Sequence, residues 1–246
     1  MIAVVICLDA RPEPFAIDPD RTAVIVIDMQ NDFGAEGGMF DRAGIDISAI
    51  VAAAVATRPV LAAARAAGVP VIYLTMEHPA DLSNVGPRTG PHWLKHVPLG
   101  LGNEIVAPDG SPSRTLVRAT WSTRVVDALS PDPDDVIVSK HRFSGFFESE
   151  LDDVLRGLGA NSLIVTGCTT SVCVESTVRD AMFRDYRCVV LEDCSAEPIG
   201  ASFSRTNHEA SLLVIETLFG WVSNAGAACD ALASLPRRER KPIANA

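Results

Sequence analysis

The stretch of sequence that decides the fold of this chain is residues 163–180, LIVTGCTTSVCVESTVRD. Its first part is apolar and rich in β-branched residues, stops at Gly167, and passes through small hydroxyl residues before apolar residues return at helical spacing. This pattern predicts a buried strand, a tight turn and a helix start, with Cys173 in the first helical turn. Backbone N–H groups are unpaired there, and the helix dipole favours a thiolate. Cys173 is therefore a candidate nucleophile, although a buried structural cysteine would fit the same pattern.

The composition is that of a globular chain with one sizeable core. Its 246 residues are 48% hydrophobic and 6% aromatic, and a length near this is common for a single α/β domain. No apolar run approaches the roughly 20 residues of a membrane helix, and the short apolar N-terminus lacks the basic leader of a signal peptide. The net charge of −10 argues against nucleic acid and anionic membranes as partners, and it leaves the binding of small molecules open.

The cysteines carry no redox or metal motif. None of the six belongs to a C-x-x-C pair, and no histidine stands at zinc-finger spacing from them. Without a secretory segment, we expect reduced thiols in a cytoplasmic protein, most of them buried space-fillers. The six are Cys7, Cys168, Cys173, Cys188, Cys194 and Cys229.

Apolar runs alternate with helical stretches along the whole chain. This alternation predicts an α/β fold, a single three-layer α/β/α domain with a mostly parallel, six-stranded, Rossmann-like sheet. The predicted strands are 22–27, 69–75, 135–139, the run that ends at Gly167, 188–191 and an edge strand at 219–223. The predicted helices are 47–67, 121–129, 148–158, the one that carries Cys173, 205–218 and 225–234.

No repeat or linker divides the chain, so we expect one domain over residues 1–246. An extended lead-in of little periodicity occupies residues 1–20, and the basic tail at 235–246 is expected to be disordered. Residues 76–113 are rich in Pro and Gly, and so long a loop in a compact domain is usually functional, here lying over the site. Its histidines, His78 among them, lack a recognisable ligand spacing, which favours pocket-wall or solvated positions over a metal site.

Three chemically useful side chains stand at predicted strand ends. Asp28 follows the first strand, Lys140 follows the third, and Cys173 follows the fourth. Each has an ordinary interpretation alone, since an Asp can cap a turn, a Lys can be solvated and a Cys can fill space. Because the carboxyl ends of parallel strands form one edge of the sheet, we expect the three to share a cleft. A thiol, a carboxylate and an ammonium are the parts of a nucleophilic site.

Four blocks of sequence also carry a family resemblance: VIVIDMQNDF at 24–33, SK at 139–140, TGCTTSVCV at 166–174 and VLED at 190–193. With them the chain resembles the isochorismatase-like cysteine hydrolases over nearly its whole length. The resemblance implies that Asp28, Lys140 and Cys173 form the catalytic triad. It also implies a cis peptide bond between Cys168 and Thr169, which helps to aim the backbone N–H groups of Thr169 and Cys173 into an oxyanion hole.

Within this family, the chain looks most like the amidohydrolases that cleave ureidoacrylate. That likeness lies in residues 11–14, 142–147, 174–180 and 216–223. The chain is also similar to biuret hydrolase and N-carbamoylsarcosine amidohydrolase, which cleave related ureido or carbamoyl C–N bonds. The true isochorismatase reaction, which proceeds without a cysteine nucleophile, is disfavoured by Cys173.

Some positions depart from the relatives that the chain resembles. Ser171 stands where many members have Asp or Asn, and Phe143 stands where ureidoacrylate enzymes tend to have Tyr. Nicotinamidases resemble the chain too, but they usually place a metal-binding Asp-x-His after the second strand, where this chain has Glu77 and His78. We therefore expect no catalytic metal and no cofactor.

The resemblance and the strand ends together predict a cysteine-dependent amidohydrolase that acts on a small ureido, carbamoyl or amide substrate through a thioester. Ureidoacrylate is the favoured substrate, with biuret, an N-carbamoyl amino acid or nicotinamide as alternatives. The alternative of another class is a non-catalytic member that serves as a binding or scaffold subunit. The resemblance also suggests a homo-oligomer, a dimer or a tetramer. The candidate substrate-binding residues are Gln30, Asn31, Phe33, His78, Trp121, Arg142 and Phe143, with Arg142 or His92 as candidates for a substrate carboxylate.

Overall fold

The structure, a computed structural model, describes residues 5–238, in which strands and helices alternate along the chain. The strands are β1 Ile6–Leu8, β2 Phe15–Ile17, β3 Thr22–Ile27, β4 Val71–Met76, β5 Glu104–Val106, β6 Pro112–Arg114, β7 Val136–Lys140, β8 Ser162–Cys168, β9 Arg187–Ala196 and β10 Trp221–Ser223. The α-helices are α1 Asn31–Gly34, α2 Met39–Arg42, α3 Ser48–Ala66, α4 Pro91–His96, α5 Leu151–Leu158, α6 Glu175–Met182, α7 Asn207–Val214 and α8 Ala225–Ala233.

Six of these strands form the central sheet, in the order β10-β9-β8-β3-β4-β7, and every neighbouring pair is parallel. The three central strands β8, β3 and β4 are buried along their whole length. Burial on both faces explains why these strands are nearly continuous apolar runs rather than alternating ones. The predicted α/β class with a six-stranded sheet is confirmed.

Alternate side chains of β3 pack into two cores, one on each face of the sheet. Val24 and Val26 belong to the core that includes α3 and α8. Ile25 and Ile27 belong to the core that includes α5 and α6. The sheet is therefore the middle of three layers, and its carboxyl edge is left to the loops that follow the strands.

Helix α3 is, within residues 5–238, the one helix long and apolar enough by composition to cross a membrane, with a mean hydropathy of 1.4. Its buried residues, Ile50, Val60 and Leu61 among them, lie in the core against the sheet. The core helix of a globular domain satisfies the same criteria of length and hydropathy, and this packing is the role that the structure gives to α3.

The predicted helix over 121–129 is wrong. The chain there forms two 3-10 turns, Trp121–Thr123 and Asp127–Leu129. Between them, the amide of Val126 donates to the carbonyl of Met29 at 2.9 Å. This pairing with the segment that follows β3 satisfies backbone groups that a helix would have satisfied internally, so the contact across the fold overrides the local helical spacing.

Strand β9 extends beyond its predicted end and continues to Ala196. A register shift between β8 and β9 places Gly167 opposite Ser195 and so lengthens the paired region. The prediction that Glu192 and Asp193 follow the end of this strand is therefore wrong, because both lie inside it.

The segments outside the central sheet are more ordered than the sequence pattern indicates. β1 and β2 pair antiparallel within the predicted lead-in, and β5 and β6 pair antiparallel within the predicted loop 76–113, which also holds α4. In the predicted tail, Leu235 is buried and Arg238 forms an ion pair with Asp20. Residues 1–4 and 239–246 lie outside the described residues.

Gly167 gives a first testable prediction, because β8 and β3 approach each other closely there. Its φ is +130°, and a Cβ at this position would lie 2.2 Å from the carbonyl oxygen of Ile27. Gly167→Ala should therefore lower the free energy of unfolding by about 3 kcal/mol or more, through strain and overpacking together. The measurement is chemical denaturation followed by circular dichroism.

The matched control is Gly157→Ala. Gly157 lies inside α5, and a Cβ there would meet no atom within 4 Å. This substitution should stabilise the protein by up to about 1 kcal/mol, because alanine has the higher helix propensity. Equal effects of the two substitutions would contradict the close approach at Gly167.

Candidate active site

The predicted triad residues meet at the carboxyl edge of the sheet. Nζ of Lys140 lies 2.7 Å from Oδ2 of Asp28. The thiol of Cys173 interacts electrostatically with both of these groups. Asp28 and Lys140 are each 1% exposed, and Cys173 is 8% exposed. A buried ion pair beside a thiol is an arrangement that can move a proton away from sulfur.

Asp28 takes its place because the chain leaves β3 in a left-handed conformation. Its φ is +52°, which Asp tolerates better than most residues, and its amide donates to the carbonyl of Leu74 at 2.9 Å. This bond ties the turn to β4. The backbone therefore fixes the carboxylate at the edge of the sheet independently of its side-chain partners.

Lys140 is the last residue of β7, where it lies opposite Met76 of β4. Its side chain turns inward over the sheet edge rather than into solvent, with Nζ 3.1 Å from the carbonyl oxygen of Arg142 and 3.8 Å from Sδ of Met76. The buried ammonium thus has a carboxylate and a carbonyl as acceptors, which offsets much of its desolvation cost.

The electrostatics of the triad favour a thiol in the resting state. Burial raises the pKa of Cys173 well above its usual value, although the Lys140 ammonium lowers it. Burial also raises the pKa of the Asp28 carboxyl, against the opposing effect of Lys140. Burial lowers the pKa of Lys140, but Asp28 and Cys173 outweigh it and raise this pKa overall. Lys140 thus favours the thiolate, but burial has the larger effect and favours the thiol.

The segment that carries Cys173 differs in detail from the predicted helix start. Residues Thr170–Val174 form a π-helical turn, and α6 begins after it. The peptide bond between Cys168 and Thr169 is cis, as the family resemblance implies. Cys173 lies inside the wider turn, so the nucleophile candidate precedes the regular helix rather than occupying its first α-helical turn.

Sequence reasoning missed two residues that hold this turn. The buried carboxylate of Glu197 accepts hydrogen bonds from the amide and the hydroxyl of Ser171, and Nδ1 of His208 lies 2.8 Å from Oγ1 of Thr170. Neither residue belongs to a recognisable motif, because each comes from a segment distant in sequence. The polar character of Ser171 and its departure from the family pattern were the available signals.

The candidate substrate-binding residues separate into two groups. Gln30 has its side chain engaged by backbone atoms of Met76 and Thr123, at 2.7 to 3.1 Å. Asn31 donates to the carbonyl of Trp121 at 2.8 Å. These contacts, together with the edge-to-face pair of Phe33 and Phe40, join the segment after β3 to residues 121–125. The side-chain polar groups of Gln30 and Asn31 are thus engaged in hydrogen bonds to the backbone of neighbouring segments.

The second group forms a histidine cluster, which we define as His78, His92, His96 and Phe143. The ring centroids of neighbouring members are 4.2 to 5.8 Å apart. Burial lowers the pKa of His78 to about 4 and that of His92 to about 3, so both are neutral near pH 7. Three buried ring nitrogens have no hydrogen-bond partner within the described residues: Nε2 of His78 and both nitrogens of His92.

The cluster lies beside the triad. The backbone carbonyl of Arg142, the residue before Phe143, accepts from Lys140, and the amide of Gly145 donates to Oγ1 of Thr177 at 2.9 Å. Oγ1 of Thr177 in turn donates to the carbonyl of Cys173 at 2.7 Å. The segment 142–145 thus bridges Lys140 and the Cys173 turn, and it carries Phe143 on that bridge.

Arg142 itself is held by the loop beneath the cluster. Its Nη1 donates to the carbonyls of Asn84 and His141 at 2.8 and 2.7 Å, and Asn84 also contacts Nδ1 of His78 at 2.7 Å. Within residues 5–238, no group of three or more His, Cys, Asp or Glu side chains has the arrangement of a metal site. The cluster is therefore a group of aromatic rings in which His78 and His92 are neutral near pH 7 and have ring nitrogens free to form hydrogen bonds.

Comparison with known proteins adds to this geometry. A protein-family model described as the isochorismatase domain matches residues 22–227. The ureidoacrylate amidohydrolase RutB of Stutzerimonas stutzeri is 41% identical over 229 residues, 93% of this chain and 90% of the relative, and RutB of Yersinia enterocolitica is 39% identical over 92% and 95%. The crystal structure of a cysteine hydrolase from Pseudomonas syringae pv. phaseolicola is similar, with 30% identity, a TM-score of 0.74, and coverage of 95% of this chain and 99% of that one.

This chain belongs to the isochorismatase family. The family resemblance predicted from the four sequence blocks is confirmed, and so is the class of enzyme, a hydrolase whose relatives are named amidohydrolases.

Proposed function

We propose that this protein is a cysteine-dependent amidohydrolase that cleaves a C–N bond of ureidoacrylate or a closely related ureido compound. The observation that carries the proposal is the buried Lys140–Asp28 pair at 2.7 Å, which interacts electrostatically with the thiol of Cys173. The names of relatives about 40% identical over most of the chain support ureidoacrylate as the substrate. Biuret and N-carbamoyl compounds present the same carbonyl flanked by nitrogen and remain the alternatives.

In the first step, Asp28 accepts the proton of Cys173 while the sulfur attacks the ureido carbonyl. Burial raises the pKa of this carboxyl, which makes Asp28 a stronger base than an exposed aspartate. Lys140 keeps its proton and stabilises the negative charge that passes between carboxylate and sulfur. Because the thiol is deprotonated only as it reacts, catalysis does not need a standing thiolate.

In the second step, Asp28 returns the proton to the departing nitrogen and the C–N bond breaks. The carbonyl carbon then remains on Cys173 as a thioester, which water hydrolyses. Ammonia and a carbamate or carboxylate are the expected products. The oxyanion of each tetrahedral intermediate is held by the backbone N–H groups of Thr169 and Cys173, and one such donor typically lowers the barrier by roughly 3 kcal/mol.

In this proposal the histidine cluster is the surface, here called the recognition wall, that binds the ureido group of the substrate. A neutral imidazole offers one donor and one acceptor, and a planar ureido group requires both. The three unpartnered ring nitrogens of the cluster support this assignment, because an unpaired buried polar atom is costly unless a ligand or water satisfies it. A carboxylate on the substrate would find donors at His92 or at Arg142.

The substitution His92→Phe separates binding from packing. Phenylalanine keeps the ring contacts but removes the two unpartnered nitrogens. We expect KM to rise about tenfold with kcat within about threefold of the wild type, and stability to rise by about 1 kcal/mol. Steady-state kinetics and thermal denaturation measure the two effects. His141→Phe is the control, since His141 pairs with the exposed Glu148, outside the cluster; an unchanged KM for His92→Phe would contradict the recognition wall.

The proposed function itself is tested by release of ammonia from ureidoacrylate, biuret, N-carbamoyl amino acids and nicotinamide, with Cys173→Ala as the blank. We expect the highest kcat/KM for ureidoacrylate. A higher kcat/KM for nicotinamide or biuret would change the assigned substrate to that compound. No release of ammonia from any compound would favour the non-catalytic binding or scaffold role.

We further propose that residues 1–246 act as a single domain within a homo-oligomer. Large apolar side chains exposed on the described surface, including Phe183, Phe203 and Leu218, support self-association. Light scattering coupled to size-exclusion chromatography would test this, and a monomer at micromolar concentration would contradict it. The cytoplasmic location stays a prediction from the sequence.

A further inference from the structure

Glu197 is a buried carboxylate that uses both of its oxygens on protein hydrogen-bond donors. Oε2 accepts from the amide of Ser171 at 2.9 Å and from its hydroxyl at 2.5 Å, and Oε1 accepts from the amide of Ile199 at 2.9 Å. The residue is 5% exposed. A carboxylate buried to this extent and paired mainly with one turn has a specific structural partner, and that partner is the turn of Cys173.

The position of Glu197 follows from the lengthened strand β9. The register shift places Cys168, the end of β8, opposite Ala196, the end of β9. Strands β8 and β9 therefore end at the same level of the sheet. Glu197, the residue after β9, lies beside the first residues of the turn that carries Cys173.

Each hydrogen bond around the turn has a defined partner. The amides of Val172 and Val174 both donate to the carbonyl of Thr169, at 3.1 and 3.2 Å. The amide of Ser171 donates to Glu197, and the neighbouring hydroxyl of Thr170 is hydrogen-bonded to His208. Glu197 thus restrains the peptide unit before Ser171, which lies inside the turn of Cys173.

We propose that Glu197 is a positioning residue for the oxyanion hole, acting through Ser171 on the backbone of the Cys173 turn. This inference rests on the proposed use of the turn amides as oxyanion donors. Such donors are effective because they are already oriented before the reaction begins. A fixed carboxylate keeps the backbone of the turn in that orientation better than exchangeable water would. The inference also gives Ser171 a role, because a serine supplies two donors to the same carboxylate oxygen.

The substitution Glu197→Gln tests the proposal with little change in size. The amide group of glutamine has only one acceptor oxygen, so it cannot serve the donors of both Ser171 and Ile199. We expect kcat for ureidoacrylate to fall by about 10- to 100-fold, less than the loss of a whole oxyanion donor, with KM within about threefold. Glu192→Gln is the matched control: Glu192 lies in β9, but its carboxylate pairs with Arg11 at the surface, and the variant should keep wild-type kinetics.

Alkylation of Cys173 by iodoacetamide, followed by peptide mass mapping, distinguishes positioning from general damage. Displacement of iodide forms a C–S bond without developing charge on the carbonyl oxygen, so it does not need the oxyanion hole. The alkylation rate of Glu197→Gln should remain within about threefold of the wild type while kcat falls. An equal loss in both rates would overturn the proposal, since Glu197 would then act on the thiol or on the fold.

Acylation by p-nitrophenyl acetate supplies a readout that does not depend on the natural substrate. Asp28 takes the thiol proton as the sulfur attacks the ester carbonyl, the C–O bond breaks, p-nitrophenolate leaves, and Cys173 retains the acetyl group. The initial release should be about tenfold slower or more in Glu197→Gln, and moderately slower in Ser171→Ala, which loses only the hydroxyl donor. If the wild type releases no ammonia from ureido compounds, the proposed function fails. The acylation experiment then still tests whether Glu197 positions the oxyanion hole. Release that is equal in the wild type and Glu197→Gln, or absent from both, overturns the inference.

Discussion

Replacement of Cys173 by alanine should abolish turnover while the fold persists. A drop in kcat of about 10⁴-fold or more is expected, which is typical when a covalent nucleophile is removed. The structural cost is small because the lost atom is a single sulfur at the edge of the core, and about 1 kcal/mol of unfolding free energy is expected. The measurements are ammonia release and thermal denaturation of the same preparation. Turnover near the wild-type rate would refute the nucleophile assignment.

Cys168 is the internal control for this prediction, since it lies at the start of the same turn. It is fully buried, its thiol donates to the carbonyl of Asp28 at 3.1 Å, and burial raises its pKa well above the usual value. Cys168→Ala should therefore retain most of the activity. In a background with the exposed Cys7 and the half-buried Cys229 replaced by serine, iodoacetamide should label Cys173 first. Preferential labelling of Cys168 would indicate that Cys168, and not Cys173, is the reactive thiol.

Replacement of Lys140 by methionine should damage both stability and activity. It leaves the buried carboxylate of Asp28 without its ion-pair partner, so the free energy of unfolding should fall by about 4 kcal/mol, as is typical when a buried pair is broken. Activity should fall by about 10³-fold or more, because nothing then stabilises the charge shared between Asp28 and Cys173. Urea denaturation and steady-state kinetics measure these losses. Wild-type stability in this variant would contradict a structural ion pair.

The double variant with Asp28→Asn and Lys140→Met separates the two losses. Asparagine tolerates the left-handed backbone at position 28, and it removes the unpaired charge. Stability should return to within about 2 kcal/mol of the wild type, while activity stays at the background level. A double variant as unstable as Lys140→Met alone would show that the lysine contributes by packing rather than by charge.

The same variants have a defined pH dependence. Without Lys140, burial is the main influence on Asp28, and it raises the folded-state pKa of this carboxyl above the unfolded value of about 3.9. A raised pKa means that the folded state binds the proton more tightly. The associated stability is full below the unfolded pKa and is lost as pH rises through the folded pKa. Lys140→Met should therefore be more stable at pH 5 than at pH 8, and the double variant should lack this difference.

Much of the candidate site could be predicted from strand ends alone. Asp28, Lys140 and Cys173 each follow a recognisable apolar run, and parallel strands bring their carboxyl ends to one edge. The prediction failed for residues 121–129 because local spacing suggested a helix, whereas the backbone pairs with the segment after β3. Contacts between distant segments leave no periodic signal in the sequence.

By itself, the sequence predicted the six strands of the central sheet, their parallel arrangement and the three candidate triad residues. Hydrophobic periodicity and residue type are local properties, and these features depend on them. Only the tertiary structure decided that burial raises the pKa of the Cys173 thiol, because this pKa depends on burial and on neighbours from other strands. It also decided that Glu197 holds the nucleophile turn, because a register shift between β8 and β9 brings that carboxylate to Ser171.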